Sequence, residues 1–250
     1  MSGHSKWHSI RFKKGILDAR RGKLFSRLAK EIIVAAKAGG GDPDNNPRLR
    51  TAIANARAVS MPNDNITRAV KRGTGELEGV HYEEVLYEAY GPAGVALLIE
   101  VLTDNRNRSA SDVRTILTRK GGALAGANAV MFQFDHKGQI RIAAGKTSEE
   151  DLFLLATEAG AEDIENDGGA FTVTTSFEDF ETVRGAIEAA GIEMESAALV
   201  YVPKNYVPVG RDKAKQVLDL MNALEDCDDV QRVHANFDIP DEVLAELSAE

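Results

Sequence analysis

Between Leu24 and Ala35 apolar residues recur every three or four positions. At 100° per residue Leu24, Phe25, Leu28, Ile32 and Ala35 fall within one arc of about 100°, while Lys23, Arg27, Lys30 and Lys37 fall on a narrow arc nearly opposite. The spacing predicts a helix that packs on one face and carries a basic ridge on the other. Arg21 would land inside the apolar arc, so the regular helix is expected from near Gly22, with Gly39, Gly40 and Gly41 stopping it. A second helix is expected with Asn46 as cap and Pro47 at its first position, running through Leu49, Ile53 and Ala56 and ending before Met61 and Pro62. The third lies in PNDNITRAVKRG, with Asp64 as the expected cap, Ile66 and Val70 one turn apart and Gly73 as terminator.

After the glycine-rich KRGTGELEG, which reads as a linker, the pattern shifts toward the two-residue period of strands. EEVLYEAYG and GVALLIEVLTD are expected as adjacent strands across the turn GPAG, followed by a helix from about Arg108 to Lys120 and a strand near AVMFQFD. Residues 139–202 then give strand (QIRIA), helix (SEEDLFLLATEAG), short strand (EDIE), strand (AFTVTTS), helix (FEDFETVRGAIEAAG) and strand (SAALVYVP). That order is the split unit of a ferredoxin-like plait. A helix from Arg211 through Val217, Leu220, Met221 and Leu224 leads to the strand VQRVHANFD, supplying what the first plait lacks. The expected fold class is therefore α+β: a three-helix domain over 1–76 and two ferredoxin-like α/β domains, approximate structural repeats of each other. One is discontinuous over 80–135 and 206–250, and the other, 136–205, is inserted in it.

Charge follows the same division. Residues 1–72 hold sixteen Lys and Arg against five Asp and Glu, and the remaining 178 hold fourteen against thirty-four, although the whole chain is only -9. An asymmetry of this size points to one part that meets a polyanion and another that does not. Charged helix faces are ordinarily just solvated. Here, however, acids that would neutralise the bases are nearly absent, which favours nucleic acid as partner. The candidate contacts are Lys6, Trp7, Arg11, Lys13, Lys14, Arg20, Lys23, Arg27, Lys30, Arg48, Arg50, Arg57, Arg68, Lys71 and Arg72. Trp7, the single tryptophan, suits either stacking on an unpaired base or anchoring the N-terminal segment. The basic start has the composition of an organellar presequence, but no linker separates it from the first helix, and mature cytoplasmic sequence is the expectation.

Other chemistry is sparse. One cysteine, Cys227, excludes an intramolecular disulfide, and no zinc-ligand spacing occurs. The longest apolar run, VALLIEVL, is too short to span a bilayer, so no membrane partner is expected. GKT in AAGKTSEE lacks the glycine that a phosphate-binding loop needs five residues before Gly145, where Ile140 stands. His4 and His8 have no third ligand, and Asp226, Asp228 and Asp229 match no cation loop. No catalytic set, metal site or cofactor is expected, and a binding protein fits better than an enzyme. In LTDNRNRSASDVR, Asp104, Asn105, Asn107 and Ser109 suit a strand-to-helix corner, from which Arg106 and Arg108 could reach a phosphate or an acidic partner.

With these residues laid out, the chain resembles the YebC family of regulatory proteins, which includes a mitochondrial translational activator of cytochrome c oxidase. The resemblance is carried by GHSKW (3–7), DARRGKLF (18–25), GGGDPDNNPRLR (39–50), MPNDNI (61–66), RAVKRGTGE (68–76), YEAYGPAGVALLIEVLTDNRNR (87–108) and LEDCDDVQRVHAN (224–236). RFKKG stands where the family usually has a KHRKA-like run, and GGALAGANAV where it has GG-x-L-G-x-x-G-S-V, placing Ala125, Asn128 and Ala129 at glycine, glycine and serine positions. The resemblance implies three domains and control of gene expression, through DNA as a transcriptional regulator or through ribosomal or messenger RNA in translation. The acidic domains would then meet a protein or the ribosome. A small-molecule-sensing or hydrolytic α/β protein is the reading from another class.

Overall fold

Helix α1 (Asp18–Gly39) ends against Gly40, whose φ of +86° suits a residue without a side chain, in a computed structural model that describes residues 18–249 and the side chains of 22–247. The helix begins four residues before the expected Gly22, because periodicity reports where a helix packs and not where its backbone starts. Its burial is also broader than one face: Ile32, Ile33, Val34, Ala35 and Ala36 are all buried, so the helix is enclosed on every side over these five residues and exposed again from Lys37. Helix α2 (Pro47–Ala58) starts as expected, with the Asn46 side chain accepting from the Leu49 N–H. Helix α3 (Asn63–Gly73) differs at its cap. Pro62 occupies that position, and Asp64 sits in the first turn, where its charge still complements the helix dipole.

The first sheet has the order β3-β1-β2-β9, formed by β1 (Glu83–Tyr90), β2 (Ala96–Thr103), β3 (Ala123–Leu124) and β9 (Val230–Ala235), with every pairing antiparallel. Helices α4 (Arg106–Arg119) and α7 (Arg211–Glu225) pack with it. Leu97, Ile99 and Val101 meet Val113 and Leu117 of α4 and Val217, Leu220, Met221 and Leu224 of α7 in one core, to which α8 (Asp241–Ala249) adds Leu244. Removing such side chains from water is the main term holding this sheet to its helices.

The second sheet has the order β5-β6-β4-β7, formed by β4 (Phe134–Ala143), β5 (Ala161–Asn166), β6 (Ala170–Ser176) and β7 (Ser196–Pro203). With α5 (Glu149–Glu158) and α6 (Phe180–Ala189) it has the chain order and strand order of the ferredoxin-like plait. Ile140, Ile142, Phe171 and Val173 pack there on Leu152, Ala156, Val183 and Ile187. In the first sheet the β1–β2 hairpin comes before any helix, so the two plaits share architecture but not chain order.

Two local expectations are corrected. AVMFQFD is not a strand throughout: Met131–Gln133 form a 3-10 turn and the strand starts at Phe134, running without a break through QIRIA. The cause is the Glu88 carboxylate, which accepts from the N–H groups of Asn128, Val130 and Met131 at 2.5, 2.7 and 2.9 Å and so withdraws them from any ladder. VQRVHANFD likewise breaks at buried Asn236, whose Oδ1 accepts from the Ala96 N–H at 2.7 Å. Phe237 and Asp238 become β10, paired in parallel with β8 (Val207–Pro208).

The chain divides into two compact units. Among the described residues, one comprises 18–27 with 80–135 and 203–249, and the other comprises 28–79 and 136–202. In the second, the side chain of Asn55 on α2 stands in for a neighbouring strand: it donates to the Ala197 carbonyl at 2.9 Å and accepts from the Ala197 N–H at 3.2 Å. Thr51, one helical turn earlier, donates to Glu181 of α6 at 3.0 Å. Helix α2 thus covers the open edge of β7, an edge that would otherwise expose unpaired backbone.

Candidate nucleic-acid interface

Lys6, Trp7, Arg11, Lys13 and Lys14 lie outside the described residues, as do His4 and His8, and of Arg20 only the helical backbone is described. The bases of α1 that are described do not form a free ridge. Lys23 donates through Nζ to the Asp226 carbonyl and pairs with the Asp228 carboxylate at 3.2 Å. Arg27 donates through Nη2 to the Glu225 carbonyl. Those carbonyls close the C-terminal end of α7, where orphan acceptors and the negative pole of the helix dipole attract cations. Lys30 and Arg48 also have interaction partners. Arg50 is committed to the loop before α2, donating to the carbonyls of Pro43 and Asp44 at 3.0 Å each.

Four of the predicted bases remain. Arg57, Arg68, Lys71 and Arg72 are exposed, and their side chains make no hydrogen bond or ion pair among the described residues. Arg68, Lys71 and Arg72 are spaced i, i+3, i+4, which puts them on one face of α3. Gly73 then lets α3 approach α1 closely: a Cβ there would lie 2.5 Å from the Ile33 carbonyl oxygen and 2.6 Å from the Ala36 Cβ. The basic last turn of α3 therefore meets the last turn of α1, which carries exposed Lys37. The four bases and Lys37 all belong to the second compact unit.

Arg106 and Arg108 sit at the start of α4, whose cap is Asn105, accepting from the Arg108 N–H at 3.1 Å. The acidic partner of Arg108 is internal: Nη2 donates to Asp104 at 2.6 Å and to Asp229 at 2.9 Å, and this pairing raises the guanidinium pKa further. Buried Thr103 donates to the same Asp229 oxygen at 3.0 Å. TDNRNR and DCDDVQ, read apart in the sequence, are thus two halves of one polar junction. Arg106 is exposed, and its carbonyl accepts from the Tyr87 hydroxyl at 3.2 Å; burial pushes that hydroxyl up in pKa against the lowering effect of Arg106.

Periodicity missed the polar groups that build the scaffold. Glu88, though burial would raise it, is held below the usual carboxylate range by the N–H groups of Val130, Met131 and Asn128. Asn128 in that loop has φ +65°, a left-handed conformation that asparagine tolerates better than most residues. Asp229 offered a weak signal, a buried carboxylate inside a visible acid run. Glu88 and Asn55 offered none, since their partners are backbone groups distant in the chain.

Comparison with known proteins agrees along nearly the whole length. The model of the TACO1/YebC protein N-terminal domain matches residues 5–76, and that of the TACO1/YebC second and third domain matches 82–237. Proteins named probable transcriptional regulatory protein are 52% identical in Desulforapulum autotrophicum, over 97% of this chain and 98% of the relative, and 52% identical in Dictyoglomus turgidum, over 99% and 100%. The crystal structure of a conserved hypothetical protein from Aquifex aeolicus superposes with a TM-score of 0.86 at 46% identity, covering 93% of this chain and 96% of that one.

Proposed function

The chain belongs to the TACO1/YebC family, and from that premise we propose that it is a non-enzymatic, cytoplasmic regulator of gene expression that grips double-helical nucleic acid through its phosphates. The observation that carries this reading is the exposed basic set Arg57, Arg68, Lys71 and Arg72, whose side chains have no hydrogen-bond or ion-pair partner among the described residues, and to which Lys37 adds. Arginine and lysine spaced one helical turn apart suit successive phosphates, which fix position on a duplex without reading sequence. Relatives named as transcriptional regulators favour DNA as the target. RNA or the ribosome is the second reading, favoured by the resemblance to a mitochondrial translational activator. Among the described residues, no helix is long and apolar enough to cross a membrane.

The test is a competition between duplex DNA and structured ribosomal RNA for the full-length protein, at several salt concentrations. DNA binding by about four contacts gives a slope of log affinity against log salt of roughly -3 to -4, and replacing Arg57, Arg68, Lys71 and Arg72 by alanine flattens it. Tighter retention by ribosomal RNA moves the function to translation. Failure of either to bind at about 0.15 M salt ends the polyanion reading.

A further inference from the structure

Helix α5 is amphipathic toward its core, yet its outer face is not wholly polar. Leu152 and Ala156 are buried against the sheet, whereas Phe153 and Leu154 are 56% and 57% exposed. At 100° per residue Phe153 and Leu154 lie on the two flanks of the outward stripe, with Glu150 and Thr157 between them, Glu149 beyond Phe153 and Glu158 beyond Leu154. Single exposed apolar residues are ordinary, but an adjacent aromatic and aliphatic pair ringed by carboxylates is a recognition surface in miniature.

The surrounding charge selects the occupant. Residues 136–202 contain fourteen acids and four bases. All four bases are committed internally: Lys137 to Glu162, Arg141 to Asp167 and Glu195, Lys146 to Glu193, and Arg184 to Glu181 and Glu188. Glu150 and Glu158 have no partner among the described residues, so the carboxylates on either side of Leu154 face solvent uncompensated. A polyanion is repelled here and a cationic segment is attracted.

We infer that the outer face of α5 docks a basic segment of a partner protein, one that inserts apolar side chains against Phe153 and Leu154 and pairs Lys or Arg with Glu150 and Glu158. The apolar pair supplies the buried anchor, and the carboxylates supply orientation and encounter rate. The site shares no residue with the basic set of α2 and α3, so the protein can hold nucleic acid and a cationic protein at once. The inference does not depend on which nucleic acid is bound.

The test uses the full-length protein and a synthetic helical peptide with leucines on one face and arginines elsewhere. A peptide of the same composition with its leucines dispersed is the control. Fluorescence anisotropy is expected to show the amphipathic peptide binding, with a loss of about tenfold in Phe153→Ser/Leu154→Ser and a similar loss in Glu150→Gln/Glu158→Gln. Amide shift changes on binding should centre on residues 149–158, and duplex affinity should stay unchanged in both variants. Because these side chains are exposed, circular dichroism should match the parent. Equal binding of the control peptide would reduce the effect to bulk charge and overturn the proposal, as would full binding by the serine variant. A dimer in sedimentation velocity that the serine substitutions dissolve would make a second copy of this chain the occupant, and would overturn it too.

Discussion

Single side chains tie together segments that the hydrophobic pattern treats as separate. Asn46 caps α2 through the Leu49 N–H at 3.1 Å and also donates to the carbonyls of Ala35 at 2.8 Å and Gly40 at 2.9 Å, joining the end of α1 to the start of α2. Asn46→Ala should cost about 1–3 kcal/mol in urea unfolding, since it removes a cap and strands two acceptors. Asn46→Asp keeps the cap but turns a carboxylate toward those carbonyls, so it should also destabilise; an aspartate variant as stable as the parent would mean that the cap alone matters. Asp167 acts similarly in the β5–β6 turn. Burial would raise its pKa, but the N–H groups of Gly169 and Ala170 and the Arg141 guanidinium outweigh that and hold it down to about 2, from an ordinary value of 3.8. A depressed carboxylate stabilises the fold above its unfolded value and loses that contribution as pH falls through its folded one. The urea midpoint should therefore drop between pH of about 4 and 2, and Asp167→Asn should flatten the profile in that window.

Elements were legible wherever periodicity and punctuation coincided. The cap and proline of α2, the hairpin across GPAG and the order of the inserted plait all follow from local rules that agree with the tertiary outcome. Misreadings fall where a distant polar group decides. Met131–Gln133 carry residues that suit a strand, but Glu88, over forty residues earlier, binds the N–H groups of Val130 and Met131 where that turn begins. Asn236 divides β9 from β10 by pairing with Ala96, 140 residues away. The candidate site divides in the same way. Composition located the basic segment, and exposure singled out Arg57, Arg68, Lys71 and Arg72 within it. The engagement of Lys23 and Arg27 with residues 225–228 was hidden, because a helical wheel places a base opposite its own apolar arc without showing what meets it there.

At the scale of the molecule, strong opposite charges on one chain must either meet internally or remain open to partners, and both occur. Lys23 and Arg27 spend their charge on the end of α7, while Arg68, Lys71 and Arg72 keep theirs exposed. Two sets of charge reversals separate these roles. Lys23→Glu/Arg27→Glu turns carboxylates toward the carbonyls of Glu225 and Asp226 and the Asp228 side chain, leaving acceptors unsatisfied at a helix end. A loss of about 1–2 kcal/mol is expected, which for a chain of this size lowers the melting temperature by roughly 2–8 °C. Arg68→Glu/Lys71→Glu/Arg72→Glu breaks no side-chain hydrogen bond or ion pair among the described residues, so its melting temperature should stay within about 1–2 °C of the parent. On the proposed function its affinity for duplex nucleic acid should nevertheless fall at least tenfold at about 0.15 M salt, because each reversal would remove a proposed phosphate contact and add a repulsion. Thermal melts and binding isotherms on the same two proteins decide the matter. If the Lys23 and Arg27 variant melts like the parent and yet loses nucleic acid, the bases of α1 leave α7 to meet the ligand, and the basic ridge that the helical wheel draws is the binding surface after all.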